Sequence, residues 1–287
     1  MTVTAERPIR RLVAPQLPWI AVLVVGAALY AAVLAAVLGT GDVLYVPSLL
    51  LLGAAVVPVA FITFVSGLDR GGVLSFSRIA AAAAVGGIVA VVVAGPLEYA
   101  AAHQLGSLPA WGIGLIEESA KLAIPAALLL WRRPSPLDGV VLGVAVGSAF
   151  AMLETMGYAL VALLQQGGNL DAVTHILMIR SVSEPGGHAA WTGLACAALF
   201  SIRGSARLWR GWLRFVAVFV GVIWLHATWD TLTASQDHLL IAAGSFVLLM
   251  TATWWLHRYR PEHAPDRRHL NRWTLRPALA GPAPERI

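Results

Sequence analysis

The chain of 287 residues is 58% hydrophobic and 12% charged, against about 45–50% and about 25% in a soluble domain. A water-soluble fold of this size could not hide that much apolar surface, so its solvent is lipid. The single cysteine, Cys196, excludes a disulfide framework and a Cys-ligated zinc site.

Residues 1–16 form a polar, basic leader. The first apolar segment, 17–38, is about 22 residues long, too long for a cleaved signal, and reads as an uncleaved helix. Further spans are expected at 44–66, 79–101, 111–131, 137–164, 185–202, 213–233 and 238–257, each near the ~20 residues that cross a bilayer. The interrupted stretch 172–184, "AVTHILMIRSVSE", is too short for a span. It reads as a helix at the interface or a re-entrant piece packed on protein. From Arg258 the chain is rich in Arg, Pro and Ala. Residues 258–287 are therefore expected to be a disordered tail drawn to anionic lipid headgroups. The fold class is all-α: a polytopic bundle of about eight transmembrane helices over 17–257.

The net charge of +5 follows membrane topology rather than an acidic soluble partner, and no nucleic-acid partner is expected. Eighteen of the twenty basic residues occupy alternate connections. Arg7, Arg10 and Arg11 precede span one, and Arg70 and Arg78 follow span two. Arg132 and Arg133 follow span four, Arg203, Arg207, Arg210 and Arg214 follow span six, and the rest lie after span eight. By the positive-inside rule both termini are cytoplasmic, and the basic loops and tail face anionic lipid. Trp19, Trp111, Trp131, Trp254 and Trp255 fall at span ends, as an aromatic belt should.

Lys121 and Arg180 are the two basic residues left over. At membrane depth they join Glu98, Glu117, Glu118, Glu154, Glu184, Asp230, His188 and His226. A charge at mid-bilayer costs on the order of 2.5–3.5 kcal/mol, so such groups face a bundle interior. Six carboxylates against two permanent cations leave an excess of negative charge. Protonation, penetrating water or a bound metal ion must meet it. The rise of about 1.5 Å per residue puts Glu117, Glu118, Glu154, His188, His226 and Asp230 in one layer, in the outer half of the membrane. One site is the simplest reading.

Spacing adds local detail. Lys121 lies i+4 from Glu117 and i+3 from Glu118, so it can reach either carboxylate. His226 and Asp230 share a face at i,i+4, the spacing for a carboxylate that orients an imidazole or for two ligands to one ion. Phe150 and Glu154 repeat that spacing. Gly139, Gly143 and Gly147 form a ridge that lets a neighbouring helix approach closely. Asp138 reads as a helix N-terminal acid, as does Glu184 beside Pro185, with Arg180 its counter-charge or a holder of substrate backbone. Glu98 reads as local polarity, and His103, His175 and His238 as solvated groups near the outer surface.

"EESAK", then "LDGVVLGVAVGSAFAMLETMGY", then Arg180 with His188, then "HATWD", in order and on separate spans, resemble the PrsW family of intramembrane proteases, relatives of the CAAX prenyl endopeptidases. The resemblance covers 111–230. It implies hydrolysis of a peptide bond in or near the membrane of a single-span, anti-sigma-factor-like substrate. Its motif positions hold Glu117, Glu118, Lys121, Glu154, His188, His226 and Asp230, with Arg180 and Phe150 as substrate-positioning residues. Thr155 stands where Asn is common and Ser148 where Gly often is. Lys121 and Glu154 depart from the CAAX endopeptidases, which argues against a prenylated substrate.

Two chemistries remain open. Glu118 or Glu117 acts as base toward water, or a zinc ion held by Glu154, His188 and His226 activates it. No "HExxH" demands zinc, no "GxGD" supports an aspartyl protease, and Ser148 lacks the following Gly of a serine-protease motif. Acids and imidazoles at depth also suit a proton-coupled transporter, and an inactive scaffold could hold a partner helix in the same groove.

Overall fold

The computed structural model describes residues 17–68, 74–131 and 135–258. The leader 1–16, the tail beyond Arg258, Arg70, Arg132, Arg133 and the Trp131 side chain lie outside the described residues. Everything regular among those described is helical. The α-helices are α1 (Leu17–Thr40), α2 (Val46–Leu68), α3 (Phe76–Leu105), α4 (Ala110–Trp131), α5 (Pro136–Gln165), α6 (Leu170–Ser183), α7 (His188–Ser201), α8 (Leu208–Thr231) and α9 (Ser235–Arg258).

Six of them, α1, α2, α3, α5, α8 and α9, are long and apolar enough to cross a membrane. The expected count of about eight is thus not reached on length and composition. α4 has 22 residues but carries Glu117, Glu118 and Lys121. α7 is the sharper departure. Its 14 residues rise only ~21 Å, short of the ~30 Å hydrocarbon core. The start of expected span six is instead a 3-10 turn, Glu184–Gly186. α7 is an interior helix, with Ala190, Trp191, Thr192, Ala195 and Cys196 fully buried.

α5 is the central element and packs on α7, α3, α2 and α6. Its start is a capping box: the Ser135 hydroxyl accepts from the Asp138 backbone N–H, and Asp138 accepts from Ser135. Asp138 is therefore the helix N-terminal acid its position suggested. The glycine ridge works against α7. A Cβ on Gly139 would lie 2.8 Å from the Cys196 carbonyl oxygen, and one on Gly143 or Gly147 would strike the carbonyls of Thr192 or His188. Only glycine lets the two backbones touch, and this contact positions His188 and Thr192.

The stretch expected to be interfacial or re-entrant is α6, capped by the Asn169 side chain. Its apolar residues Val173 and Leu177 pack with Leu50 and Ala54 of α2 and Ala159 of α5, and Ser181 donates to the Gly53 carbonyl. It lies against protein rather than apart from it. Large apolar side chains such as Val24, Leu38, Leu164, Trp224 and Leu240 stay exposed on the perimeter, the outside that lipid requires.

Candidate active site

Lys121 holds the two adjacent glutamates of the apolar helix α4. Glu118 and Lys121 have no solvent exposure. The Lys121 ammonium donates to Glu117 Oε2 at 3.0 Å and to Glu118 Oε1 at 2.8 Å. Its third neighbour is Nδ1 of His188 at 2.8 Å, and the Phe150 ring centroid lies 3.9 Å away. One turn on, Pro125 removes the N–H that would otherwise bond the Lys121 carbonyl.

Neighbouring glutamates diverge because successive helix positions turn about 100°. Glu118 points into protein. Its Oε1 also meets Nδ1 of His226 at 3.0 Å, and its Oε2 accepts from the Thr192 hydroxyl at 3.1 Å. It thereby joins α4, α7 and α8. Glu117 points the other way and lines a cavity of about 450 Å³, together with Glu98, Phe150, Glu154, Arg180 and Asp230.

On the α5 wall, Glu154 Oε2 accepts from Arg180 at 2.6 Å and lies 2.9 Å from Nε2 of His188. Arg180 also donates to Thr155 at 3.2 Å and sits over the Tyr158 ring. The direct ion pair of Arg180 is thus with Glu154 rather than with Glu184, because α6 folds back along α5. Glu184 instead accepts the Ala189 backbone N–H at 3.1 Å, the helix N-terminal role expected of it.

The two imidazoles stand 4.9 Å apart between ring centroids. Nε2 of His226 is 3.5 Å from both Asp230 and Glu117. Trp191 braces the pair, stacked on His226 at 5.0 Å and edge-on to His188 at 5.2 Å. Its indole N–H donates to Ser245 of α9 at 3.0 Å.

Every residue singled out by the motifs, from Glu117 to Asp230 with Arg180 and Phe150, meets in this one region. Sequence reasoning passed over Thr192, Trp191, Ser245 and Tyr158, and it set aside Glu98 and His238. Thr192 carried a signal, since it follows His188 by four residues on α7. His238 is not merely solvated: it lines the cavity and packs on Trp229, with ring centroids 4.4 Å apart.

The metal-ligand set differs from the expected one. Glu117, not Glu154, groups with His188 and His226, their donor atoms all within 4.8 Å of one another. Glu154 is held by Arg180 instead. Two imidazoles and a carboxylate are a donor set zinc accepts in catalytic sites, with a position left for water. The carboxylates of the region outnumber Lys121 and Arg180, so a cation is electrostatically acceptable there. Glu118, accepting at Nδ1 of His226, would leave Nε2 of that ring free to ligate. His188 sets a condition. An ammonium only donates, so its Nδ1 accepts from Lys121 and its Nε2 carries the proton toward Glu154. Ligation by His188 requires that proton to leave.

An all-helical bundle with membrane-length apolar helices gathers acids and imidazoles at its buried centre beside a cavity, the build of a polytopic membrane protein with a candidate active centre. The family model described as PrsW family intramembrane metalloprotease matches residues 75–256. The chain belongs to that family and is an intramembrane protease. No curated protein and no solved structure matches it.

Proposed function

We propose that the chain cleaves a single-span membrane protein, anti-sigma-factor-like in kind, close to the extracytoplasmic face, with Glu117 as the base that takes a proton from water. The observation that carries this is the division of labour between the two glutamates. Both touch Lys121, but Glu117 lines the cavity while Glu118 is enclosed by donors from three helices. A base must reach its water, and Glu117 can.

His226 follows from the same geometry. Glu118 accepts at its Nδ1, and Nε2 faces Glu117 and Asp230. Charged, the ring would donate from Nε2 to the developing oxyanion and then to the leaving amine, with Asp230 stabilising the imidazolium. His188 holds Glu154 in place, and Arg180 has further guanidinium N–H groups for a substrate carbonyl. Phe150 and Trp191 exclude water around the rings. Zinc, when bound by Glu117, His188 and His226, would supply Lewis acidity toward the carbonyl and a more acidic water. Glu117 would then be a ligand rather than the base.

The test is cleavage of a single-span reporter by the purified chain in detergent. Glu117→Gln should lower kcat by about 10²–10⁴. An unchanged rate removes Glu117 from the chemistry. Solute uptake into sealed vesicles without proteolysis would favour a transporter instead.

A further inference from the structure

The carboxylates lining the cavity differ in how they are matched. Glu117 has Lys121, Glu154 has Arg180 and His188, and Asp230 faces His226. Glu98, on α3, has no hydrogen bond or ion pair among the described residues, and its Oε1 is shut away from water. An acceptor buried without a donor is costly and calls for an explanation. Within the lining itself, Glu98, Glu117, Glu154 and Asp230 stand against Arg180 alone. The Lys121 ammonium has no N–H left to give Glu98, because Glu117, Glu118 and His188 already share all three. An empty acceptor in an acidic recess favours a cation. Val91 and Ala94, about two turns and one turn before Glu98 on the same wall, offer an apolar track for an aliphatic stem.

We propose that Glu98 is a specificity-determining residue that takes the Lys or Arg side chain of a substrate residue flanking the scissile bond. This rests on the proteolytic reading above. The basic head would give Oε1 its missing donor, and the stem would lie along α3. Cleavage would then select for a basic residue at one fixed position, on top of whatever brings the substrate to the membrane.

The experiment incubates the purified full chain in detergent with a library of synthetic peptides randomised around a central segment, and maps cleaved bonds by mass spectrometry. Wild type should enrich Lys and Arg at one position, with kcat/KM about tenfold above the Ala peptide. Glu98→Gln should bring the Lys-over-Ala ratio close to one, and Glu98→Lys should turn the preference toward Asp and Glu at that same position. A merely structural role cannot reverse a preference. Should Glu98→Lys fail to fold, the Glu98→Gln ratio decides. Cleavage by wild type with no basic preference, or a preference that Glu98→Gln leaves intact, overturns the assignment of Glu98 alone. A wild type that cleaves no peptide while cutting a single-span reporter without regard to Lys, Ala or Glu near the bond overturns it equally. A wild type that cuts neither removes the proteolytic reading itself.

Discussion

The Lys121 ammonium lies 2.8 Å from Nδ1 of His188, a contact between α4 and α7 at the centre of the bundle. Because Lys121 can only donate, this contact sets the ring: Nδ1 accepts and Nε2–H points to Glu154. In the arrangement described, His188 can ligate a metal through Nε2 only once that proton has left. If Glu117 works as the base without zinc, cleavage of a reporter survives exhaustive chelation and elemental analysis finds less than one zinc per active chain. Activity lost on chelation and restored by zinc would reverse this and assign Glu117, His188 and His226 as ligands.

The two adjacent glutamates should fail differently. Glu118→Ala leaves Thr192 and His226 without that acceptor and removes one of the three partners of Lys121, in a site closed to solvent. Breaking a buried pair in this way costs about 3–5 kcal/mol, so thermal unfolding in detergent should occur at markedly lower temperature. Glu117→Gln keeps the shape, faces the cavity and should leave Tm much nearer wild type while lowering kcat by about 10²–10⁴. Equal losses of Tm in both variants would contradict the assignment of roles.

The helix contact behind the site can be tested on the glycine ridge. Gly147→Ala directs a methyl group into the His188 carbonyl, and overpacking of this kind costs about 1–3 kcal/mol. Gly157, on the same helix, has nothing within 4 Å of an added Cβ. Gly157→Ala should be neutral or stabilise by up to about 1 kcal/mol. Tm and reporter cleavage measured together should fall for the first and not for the second.

How much of this was legible in the sequence depends on the range of each contact. The Glu117–Lys121 and Glu118–Lys121 pairs repeat at helical spacing, so one helix is enough to expect them. The Gly139, Gly143 and Gly147 ridge announced a close neighbour but not which one; it is α7, so the ridge supports His188. Arg180 was linked to Glu184, four residues away, when its partner is Glu154, because only the tertiary course of α6 along α5 brings those two together. The choice of Glu117 over Glu154 beside the imidazoles has the same origin. Span six looked full length because hydropathy does not register a 3-10 turn at Glu184–Gly186. Glu98 carried no motif at all, and its role depends on a cavity that no single helix defines.

Trp191 offers a test of how far the support of the imidazoles extends. Its N–H is bonded to Ser245, so Ser245→Ala leaves a buried donor unpaired, at a cost of about 1–3 kcal/mol. If the indole merely fills space, stability alone should suffer. If it aligns His188 and His226, kcat should fall with KM little changed, the pH profile of cleavage should move, and Ser245→Thr should restore both. An unaltered pH profile in Ser245→Ala would reduce Trp191 to packing.

Orientation in the membrane can be read with the single native thiol as background. Cys196 is fully buried, so a membrane-impermeant maleimide should leave the wild-type chain unlabelled. Gly106, at the end of α3, and Ser205, between α7 and α8, sit on connections that the charge alternation assigns to opposite sides. Arg203, Arg207, Arg210 and Arg214 crowd around Ser205, while the connection holding Gly106 has no Lys or Arg. In intact cells Gly106→Cys should label and Ser205→Cys should label only after permeabilisation. The reverse pattern would put the catalytic cavity on the cytoplasmic side, because α4, which carries Glu117, begins just after Gly106. An extracytoplasmic cut in the substrate would then be impossible from this site.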